Sequence, residues 1–332
     1  MPGPARRRVL VTRRLPPGGL DPLADAGHEV VQRPDDEPFT HGQLVEAAAD
    51  ADAIISVLTD PIDRAVIAAA PKLRVVANVA VGYDNIDLRT ALTAGVAVCN
   101  TPGVLDETTA DLAFALILAT SRLLGQAERD LRAGRWTGWG VDQYLGQDVY
   151  GATLGVVGYG RIGRAVARRA QGFGMRVLYH TRRPRDEHGH VDDLDVLLRQ
   201  SDVVSLHLPL DDGTRGLVDG RRLALMKPTA VLVNTSRGPI VDEEALAVAL
   251  EEGRIFAAGL DVFEHEPEIN PRLLAAPRAL LTPHIGSAST ATRTRMARMA
   301  AESVQAVLAG RTPPNLVPMG PVAGVGLADP AP

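Results

Sequence analysis

A glycine-rich turn gives the first chemical signal in the sequence. The apolar run Leu154–Val157 leads into Gly158–Gly163, with the sequence GYGRIG, and a helical pattern follows. In a strand–turn–helix context, Gly158 makes the tight turn, Gly160 lets the backbone approach a pyrophosphate, and Gly163 lets the helix pack on the strand. The helix N-terminus offers free N–H groups and the positive end of its dipole to phosphates. The turn therefore predicts a bound dinucleotide, with a turn that binds no ligand as the alternative.

The tip of the next predicted strand indicates which dinucleotide binds. Strand Arg176–His180 is followed by Thr181, Arg182 and Arg183, with Arg185 beyond them, and no carboxylate stands at the tip. A carboxylate there would bind the ribose diol of NAD and repel a 2′-phosphate, whereas arginine can chelate that phosphate through its fork of donors. We therefore expect NADP(H) to be preferred, with NAD(H) also accepted. The alternative is that these arginines only form a solvated loop.

Three further polar motifs each follow a predicted strand. Asn234–Gly238 (NTSRG) follows AVLV, Asp261–Pro267 (DVFEHEP) follows AAGL, and Thr282–Ser287 (TPHIGS) follows ALL. Ligands in open α/β sheets bind beyond the carboxyl ends of the strands. We therefore expect these motifs and the glycine turn to line one rim. Taken singly, the charged members could equally be an arginine in a surface salt bridge, a solvated glutamate and a histidine that caps a helix.

Histidine and cysteine give no metal-binding signal. The eight histidines form no HxH or HExxH cluster, apart from His188-Gly189-His190 in a predicted loop, so we predict no metal site. The single cysteine, Cys99, excludes an internal disulfide and a cysteine-rich metal site. Its place at the end of a strand pattern indicates a small buried side chain, which fits a reducing compartment.

The elements that must position these motifs alternate along the chain. The first group of predicted strands is Arg8–Thr12, Glu29–Val31, Ala53–Val57, Arg74–Asn78 and Val96–Cys99. The second group is Leu154–Val157, Arg176–His180, Val203–Leu208, Ala230–Asn234, Ala257–Leu260 and Ala279–Thr282. Helical patterns lie between them, and such alternation predicts parallel sheets covered on both faces. The predicted fold class is α/β, with two doubly wound, Rossmann-like domains, since 332 residues exceed one ordinary core.

The late position of the glycine turn predicts that the nucleotide-binding domain is inserted in the substrate-binding domain. We expect a substrate-binding domain of residues 1–100 and 288–318, a dinucleotide-binding domain of 101–287, and a disordered tail of 319–332. Residues 106–133 are nearly continuously apolar around their middle, which predicts one long buried helix. A small ligand usually binds in the cleft between two such domains.

Charge and hydropathy exclude other classes of protein. The formal net charge is −5 and the basic residues are scattered, so we predict no nucleic-acid partner. No window approaches 18 uncharged apolar residues, so no membrane span is expected. Arg13, Arg14 and two prolines interrupt the stretch after Arg6–Arg8, so no signal peptide is expected either. We expect a cytoplasmic protein.

Further motifs extend the pattern through residues 50–315. They are AVGYDNID at Ala80–Asp87, NTPGVLDETTAD at Asn100–Asp111 and HLPL at His207–Leu210. Together with the glycine turn and the three strand-end motifs, they make the chain resemble the D-2-hydroxyacid dehydrogenase family, most of all its glyoxylate/hydroxypyruvate reductase branch. The resemblance implies reduction of glyoxylate to glycolate and of hydroxypyruvate to D-glycerate. It also implies a homodimer, with 106–133 as the dimer arm.

The resemblance implies a catalytic trio of Arg237, Glu266 and His284. Arg237 would hold the carboxylate and carbonyl oxygens of a 2-oxo acid and polarise the carbonyl. After hydride reaches the carbonyl carbon, His284 would supply the proton, because histidine titrates near neutrality. Glu266 would accept a hydrogen bond from the other ring nitrogen, which fixes the tautomer and favours the protonated ring. His265 is a competing candidate that the family spacing disfavours.

The resemblance also implies supporting contacts. Leu58 would border the substrate, and the backbone N–H groups of Val81 and Gly82 would bind its carboxylate, beside Arg237 and His284. The implied cofactor-binding residues are Gly158, Tyr159, Gly160, Arg161, Ile162, Gly163, Thr181, Arg182, Arg183, His207, Pro209, Thr109, Thr235, Ser236, Asp261 and Gly286. Among these, Asp261 would contact the nicotinamide carboxamide.

Two alternatives stay open. The chain could be another dehydrogenase of this family, acting on 3-phosphoglycerate or D-lactate. A phosphorylated substrate would favour extra basic residues near Ser56–Asp60 and Asn78–Asp87, and there are none. The second alternative is a nucleotide-sensing transcriptional co-repressor that keeps the catalytic residues and binds partner peptides.

Overall fold

The chain folds into two α/β units, one inserted in the sequence of the other. The computed structural model describes residues 6–33, 36–183 and 187–318. Unit 1 comprises Met1–Leu105 and Ala288–Pro332, and unit 2 comprises Asp106–Ser287. The predicted disordered tail of 319–332 and the predicted phosphate-site neighbour Arg185 lie outside the described residues.

The elements of both units follow in chain order. The strands are β1 (Arg8–Val11), β2 (Glu29–Gln32), β3 (Ala53–Ser56), β4 (Val75–Asn78), β5 (Ala97–Cys99), β6 (Thr153–Val157), β7 (Arg176–His180), β8 (Val203–Leu206), β9 (Val231–Asn234), β10 (Ala257–Leu260) and β11 (Ala279–Leu281). The helices are α1 (Asp21–Asp25), α2 (His41–Ala48), α3 (Arg64–Ala69), α4 (Leu88–Thr93), α5 (Asp106–Ser121), α6 (Leu124–Arg132), α7 (Arg161–Gln171), α8 (Leu194–Gln200), α9 (Gly220–Leu223), α10 (Glu243–Glu251), α11 (Pro271–Ala275) and α12 (Thr290–Leu308).

Unit 1 is built on a five-stranded sheet in the order β2-β1-β3-β4-β5, with every pair of neighbours parallel. All four residues of β3 and of β4 are buried, as expected for strands covered on both faces. Helix α12 packs against α1 and β4 within this unit. Beyond α12 the chain returns to the sheet edge, where Val317 N–H donates to Val98 C=O at 2.8 Å.

Unit 2 is built on a six-stranded sheet in the order β11-β10-β9-β8-β6-β7, again parallel throughout. Strand β6 therefore lies between β8 and β7, and the ends of β9, β10 and β11 follow one another along the same edge. This order brings the glycine turn and the three polar motifs to one rim of the sheet, as the sequence predicted. The predicted α/β class with two parallel sheets is confirmed.

The prediction of one helix over 106–133 was wrong, because this segment forms α5 and α6. The chain breaks at Leu123, whose φ of 52° is left-handed, and the two helices are bent by 67°. Helix α5 packs against α7, β9 and β10, whereas no residue of α6 is buried. The break therefore separates a core helix from a surface helix. Within the described residues no single helix is long and apolar enough to cross a membrane, and only the bent pair α5–α6 passes that test of length and composition.

Candidate active site

The glycine turn has the geometry of a close backbone approach. Gly158 has a φ of +94°, and a Cβ there would lie 2.3 Å from the carbonyl oxygen of His207. A Cβ on Gly163 would lie 2.2 Å from the Gly158 carbonyl oxygen, so this glycine lets α7 pack on the turn. Beside Gly160, the N-cap of α7, no described atom lies within 4 Å of a Cβ position. The turn therefore leaves open space at its middle glycine, where a pyrophosphate would meet the helix N-terminus.

The side chains of the other residues of the turn contact neighbouring elements. The Tyr159 ring is buried and stacks on Tyr179, with ring centroids 3.9 Å apart. The Arg161 guanidinium pairs with Asp106 at 3.2 Å, and Ile162 is half-buried in the first turn of α7. Tyr159 thus anchors the turn with its side chain.

The tip of β7 carries Thr181, Arg182 and Arg183, and both arginines are exposed. Arg182 Nη2 donates to Asp211 Oδ2 at 2.8 Å, and this carboxylate follows exposed Pro209 in the loop after β8. Because β6 lies between β7 and β8, the ion pair spans the end of β6, where the glycine turn begins. A 2′-phosphate at Arg182 would therefore have to compete with Asp211, which is absent from the residues predicted from the sequence.

The loops after β8 and β9 are joined by hydrogen bonds. Ser236 Oγ donates to Leu206 C=O at 2.5 Å and accepts from Leu208 N–H at 3.2 Å, so this predicted cofactor residue ties the two strand ends together. The ring of His207 lies 2.8 Å from Ser205 Oγ, and burial lowers the pKa of His207 to about 4. That imidazole is neutral at physiological pH. The buried hydroxyl of Thr235 has no hydrogen-bond partner among the described residues.

Two of the three predicted catalytic residues contact each other. His284 Nδ1 lies 2.8 Å from Glu266 Oε2, and each side chain is 24% exposed. The other oxygen, Oε1, accepts the Phe263 N–H at 3.0 Å. Burial alone would raise the pKa of Glu266, but the hydrogen bond and charge of His284 outweigh it and lower that pKa. The carboxylate is therefore charged, and it holds the imidazole through Nδ1, leaving Nε2 without a partner among the described residues.

Arg237 lies at the end of the neighbouring strand, β9. Its Nη1 donates to the Ser236 carbonyl at 2.8 Å, and its charge helps to lower the pKa of Glu266. The next residue must be glycine, because a Cβ on Gly238 would lie 1.9 Å from the carbonyl carbon of Phe263. This close approach brings the loop that carries Glu266 against the segment that carries Arg237. The trio thus comes from the ends of three adjacent strands.

Asp261 organises the turn that carries His284. Its buried carboxylate accepts hydrogen bonds from Thr282 Oγ1 at 2.6 Å, from Ile285 N–H at 2.8 Å and from Gly286 N–H at 2.8 Å. Burial raises the pKa of Asp261 in spite of these donors. Buried Thr109 of α5 packs beside Gly286. Asp261 therefore has a structural role that the sequence did not predict, and its contact with the carboxamide stays a prediction.

The predicted substrate-binding residues Leu58, Val81 and Gly82 belong to unit 1. Leu58 is half-buried in the loop after β3. The carbonyl oxygens of Val81 and Gly82 accept hydrogen bonds from Asn100 at 2.8 Å and from Asn78 at 2.9 Å. Their N–H groups have no acceptor among the described residues. The peptide of the Val81 N–H is held through the Ala80 carbonyl, which accepts the Thr101 N–H at 2.8 Å, and that of the Gly82 N–H through the Val81 carbonyl. Both N–H groups are thus available to an anion.

A glycine turn at a strand–helix junction, with a carboxylate-held histidine and an arginine on the same rim, defines a dinucleotide-dependent oxidoreductase. Arginine suits an acidic substrate, and the histidine suits proton transfer to its oxygen. Across residues 6–33, 36–183 and 187–318, no three His, Cys, Asp or Glu side chains are grouped to hold a metal ion.

Comparison with known proteins identifies the family. Residues 114–286 match the model of the NAD-binding domain of D-isomer specific 2-hydroxyacid dehydrogenases. A glyoxylate reductase of Korarchaeum cryptofilum is 51% identical over 318 residues, covering 93% of this chain and 95% of the relative. A glyoxylate reductase of Thermococcus litoralis is 44% identical, covering 93% and 96%. The chain belongs to the D-isomer specific 2-hydroxyacid dehydrogenase family and is an NAD(P)-dependent oxidoreductase, as the motifs predicted.

Solved structures agree with this assignment. The crystal structure of the TT0316 protein from Thermus thermophilus superposes with a TM-score of 0.89 at 47% identity, covering 93% of this chain and 99% of that one. An NADPH-dependent glyoxylate/hydroxypyruvate reductase from Sinorhizobium meliloti, in complex with NADP and malonate, has a TM-score of 0.86 at 36% identity, covering 95% and 98%.

Proposed function

We propose that the protein reduces small 2-oxo acids, converting glyoxylate to glycolate and hydroxypyruvate to D-glycerate, with NADPH as the preferred reductant. The observation that carries the proposal is the 2.8 Å contact between His284 and Glu266, on the rim that also bears Arg237. The names of the similar proteins support the substrates, since the archaeal relatives are glyoxylate reductases and the Sinorhizobium enzyme also acts on hydroxypyruvate.

Each residue of the rim has a separate proposed role in the reaction. Gly160 and the N-terminus of α7 would hold the pyrophosphate of the dinucleotide, whose reduced nicotinamide supplies the hydride. Arg237 binds the substrate carboxylate and polarises its carbonyl, stabilising the negative charge that develops on the oxygen. His284 gives its Nε2 proton to that oxygen, while Glu266 keeps the imidazole oriented through Nδ1 and compensates its positive charge. In unit 1, the N–H groups of Val81 and Gly82 are the proposed additional donors to the substrate carboxylate.

The preference for NADPH is supported by the tip of β7. Arg182 and Arg183 stand there without a carboxylate on that strand end, and the similar Sinorhizobium enzyme binds NADP. The Arg182–Asp211 pair is exposed on both sides, with 66% and 38% of the side chains accessible, so it costs little to exchange. A phosphate with two charges is a stronger partner for a guanidinium than one exposed carboxylate.

We also propose a homodimer that works in the cytoplasm. Large exposed apolar side chains are concentrated between residues 124 and 150, namely Leu124, Leu131, Trp136, Trp139, Val141, Leu145 and Tyr150. Apolar patches of this kind mark interaction surfaces. Replacing Trp139 and Tyr150 with serine should shift the mass measured by light scattering to that of a monomer. An unchanged dimer, or a monomeric parent protein, would count against this surface. The single buried thiol fits a reducing cytoplasm.

The proposed function is tested by a steady-state matrix. NADH and NADPH are each measured against glyoxylate, hydroxypyruvate, pyruvate and phosphohydroxypyruvate, following loss of nicotinamide absorbance. We expect the highest kcat/KM for glyoxylate or hydroxypyruvate with NADPH. A higher kcat/KM for pyruvate or for phosphohydroxypyruvate would indicate that the protein is another dehydrogenase of the family. No turnover with any of the four acids would refute the reductase.

A further inference from the structure

The segment that follows Arg237 holds the loop that carries Glu266 at two points. The first is Gly238, against which the backbone at Phe263 packs. The second is Glu243, whose Oε1 accepts the backbone N–H of Glu264 at 2.5 Å. The contact joins residues 21 positions apart in the sequence.

The environment of Glu243 is unusual for a carboxylate. It is the first residue of α10 and only 5% exposed, and burial raises its pKa. A buried carboxylate is costly unless donors satisfy it. Here the backbone N–H of Glu264, two residues before Glu266, donates to it. The helix N-terminus adds a favourable dipole at the same place.

We propose that Glu243 is a positioning residue for the Glu266–His284 pair, fixing the loop just before Glu266 so that its carboxylate meets His284 Nδ1. The inference rests on the proposed function of that pair. Glu243 contacts neither of the two side chains and acts only through the backbone of the loop.

The geometry explains why a distant carboxylate would matter. Glu266 is held by a single backbone donor of its own, the Phe263 N–H, and its position otherwise depends on the path of the loop. If the Glu264 N–H loses its acceptor, the loop is free to move, and a displacement of about 1 Å can cost up to roughly 100-fold in rate. Losing the Glu266 contact also takes the carboxylate away from His284 Nδ1.

Charged groups near Glu243 and Glu266 also change the pKa values of the two carboxylates, and a measurement must separate their effects from that of the hydrogen bond to Glu243. Glu243 is influenced by the charges of Glu264, which raises its pKa, and of His265, which lowers it. Glu266 is influenced by His284 and Arg237. Both Glu264 and His265 are exposed, so the effects of their charges are screened by salt, whereas the hydrogen bond from the Glu264 N–H to buried Glu243 is screened much less.

The test compares Glu243→Ala, Glu243→Gln and Asp242→Ala. Asp242 is the exposed N-cap of the same helix, where it accepts the Ala245 N–H at 2.9 Å, so its loss weakens α10 without touching the loop. For Glu243→Ala we expect kcat with glyoxylate to fall about 10-fold or more, with KM changed by no more than about twofold. The pH at which kcat/KM falls by half on the alkaline side should move down by roughly half a unit or more.

Glu243→Gln should recover most of the rate, because an amide oxygen still accepts the Glu264 N–H. Asp242→Ala should lower the melting temperature and leave the pH profile in place. A Glu243→Ala enzyme with the parent pH profile and kcat, or an equal shift in Asp242→Ala, would overturn the inference. If Glu243→Ala does not fold, Glu243→Asp, which draws the carboxylate back by one methylene, must show the same shift.

A parallel Glu266→Gln variant separates this inference from the proposed function. If Glu266→Gln keeps full activity and the parent pH profile, the pair itself has no role and the proposed function fails. If Glu266→Gln is impaired and Glu243→Ala is not, the pair works as proposed and only the role of Glu243 is refuted.

Discussion

The two sheets of this protein have the same architecture and carry different chemical groups beyond their carboxyl ends. In unit 1, Asn78 accepts from Ser56 at 3.1 Å and donates to the Gly82 carbonyl, and Asn85 donates to Val57 C=O at 3.1 Å. These uncharged side chains hold loop backbone, and buried Asp60 accepts the Val57 N–H at 2.9 Å beside them. In unit 2, Asn234 and Ser236 hold loop backbone in the same way, and the Phe263 N–H in addition fixes Glu266, which belongs to a histidine–carboxylate pair.

The difference indicates how a parallel sheet is adapted to a task. Backbone donors such as those of Val81 and Gly82 suit binding of an anion, because they keep their direction and carry no proton to lose. Proton transfer needs side chains that titrate, so the rim of unit 2 carries a histidine with a carboxylate partner. Substitutions of the catalytic side chains in unit 2 should therefore affect kcat, and substitutions that loosen the Val81–Gly82 backbone in unit 1 should affect stability and KM.

Arg237→Ala should have the largest effect, reducing kcat/KM for glyoxylate by about 1,000-fold, because the group that polarises the carbonyl and binds the acid is lost. Dinucleotide binding, followed by quenching of protein fluorescence, should persist. Arg254→Ala, in which an exposed arginine of the same unit is removed, serves as the matched control and should change kcat/KM by less than about twofold. Comparable activity in Arg237→Ala would contradict the assigned role.

Glu266→Gln should reduce kcat by about 100-fold, since the imidazole loses its charged partner. The pKa of Glu266 is lowered by His284, so the pair stabilises the fold above the ordinary glutamate range and this stabilisation is lost as pH falls through the lowered value. The difference in melting temperature between parent and variant should therefore shrink in acid. A difference that stays constant down to the lowest pH at which the parent folds would contradict the ion pair.

Asn78→Ala probes unit 1 and should destabilise the protein by about 2 kcal/mol, because the buried side chain serves Ser56, Gly82 and Asn85 together. We expect KM for glyoxylate to rise more than kcat falls, as the Gly82 loop loosens. Chemical unfolding and steady-state kinetics measure the two effects. A fall in kcat without a rise in KM would contradict the proposed difference between the carboxyl ends of the two sheets.

Replacing Arg182 and Arg183 with alanine should raise KM for NADPH about 10-fold and leave KM for NADH nearly unchanged. Asp211→Asn should act in the other direction and lower KM for NADPH by about twofold to fivefold, because Arg182 no longer has a competing carboxylate. Equal changes for the two coenzymes would contradict the proposed phosphate site. Asp212→Asn, at the neighbouring exposed position, is the control for a simple change of charge.

Most of the architecture could be predicted because local patterns of apolar and polar residues determine it. The strands lie within two residues of their predicted ends, since each is a short apolar run bounded by polar residues. The helical patterns between the predicted strands gave no bounds for the short helices α1, α4, α9 and α11, because four to six residues carry too little periodicity. The break at Leu123 was missed as well, because nothing in that run of Leu and Arg marks a left-handed residue.

The sequence by itself determined the two parallel sheets, the glycine turn and the family of the protein, since strand–helix alternation and motif order are local or linear properties. The resemblance to the family also implied the contact of Glu266 with His284, 18 positions apart. Only the tertiary structure decided the contacts of the Glu264 N–H with Glu243 and of Arg182 with Asp211, which join residues 21 and 29 positions apart. The strand order of the sheet creates these contacts, and no local pattern encodes them.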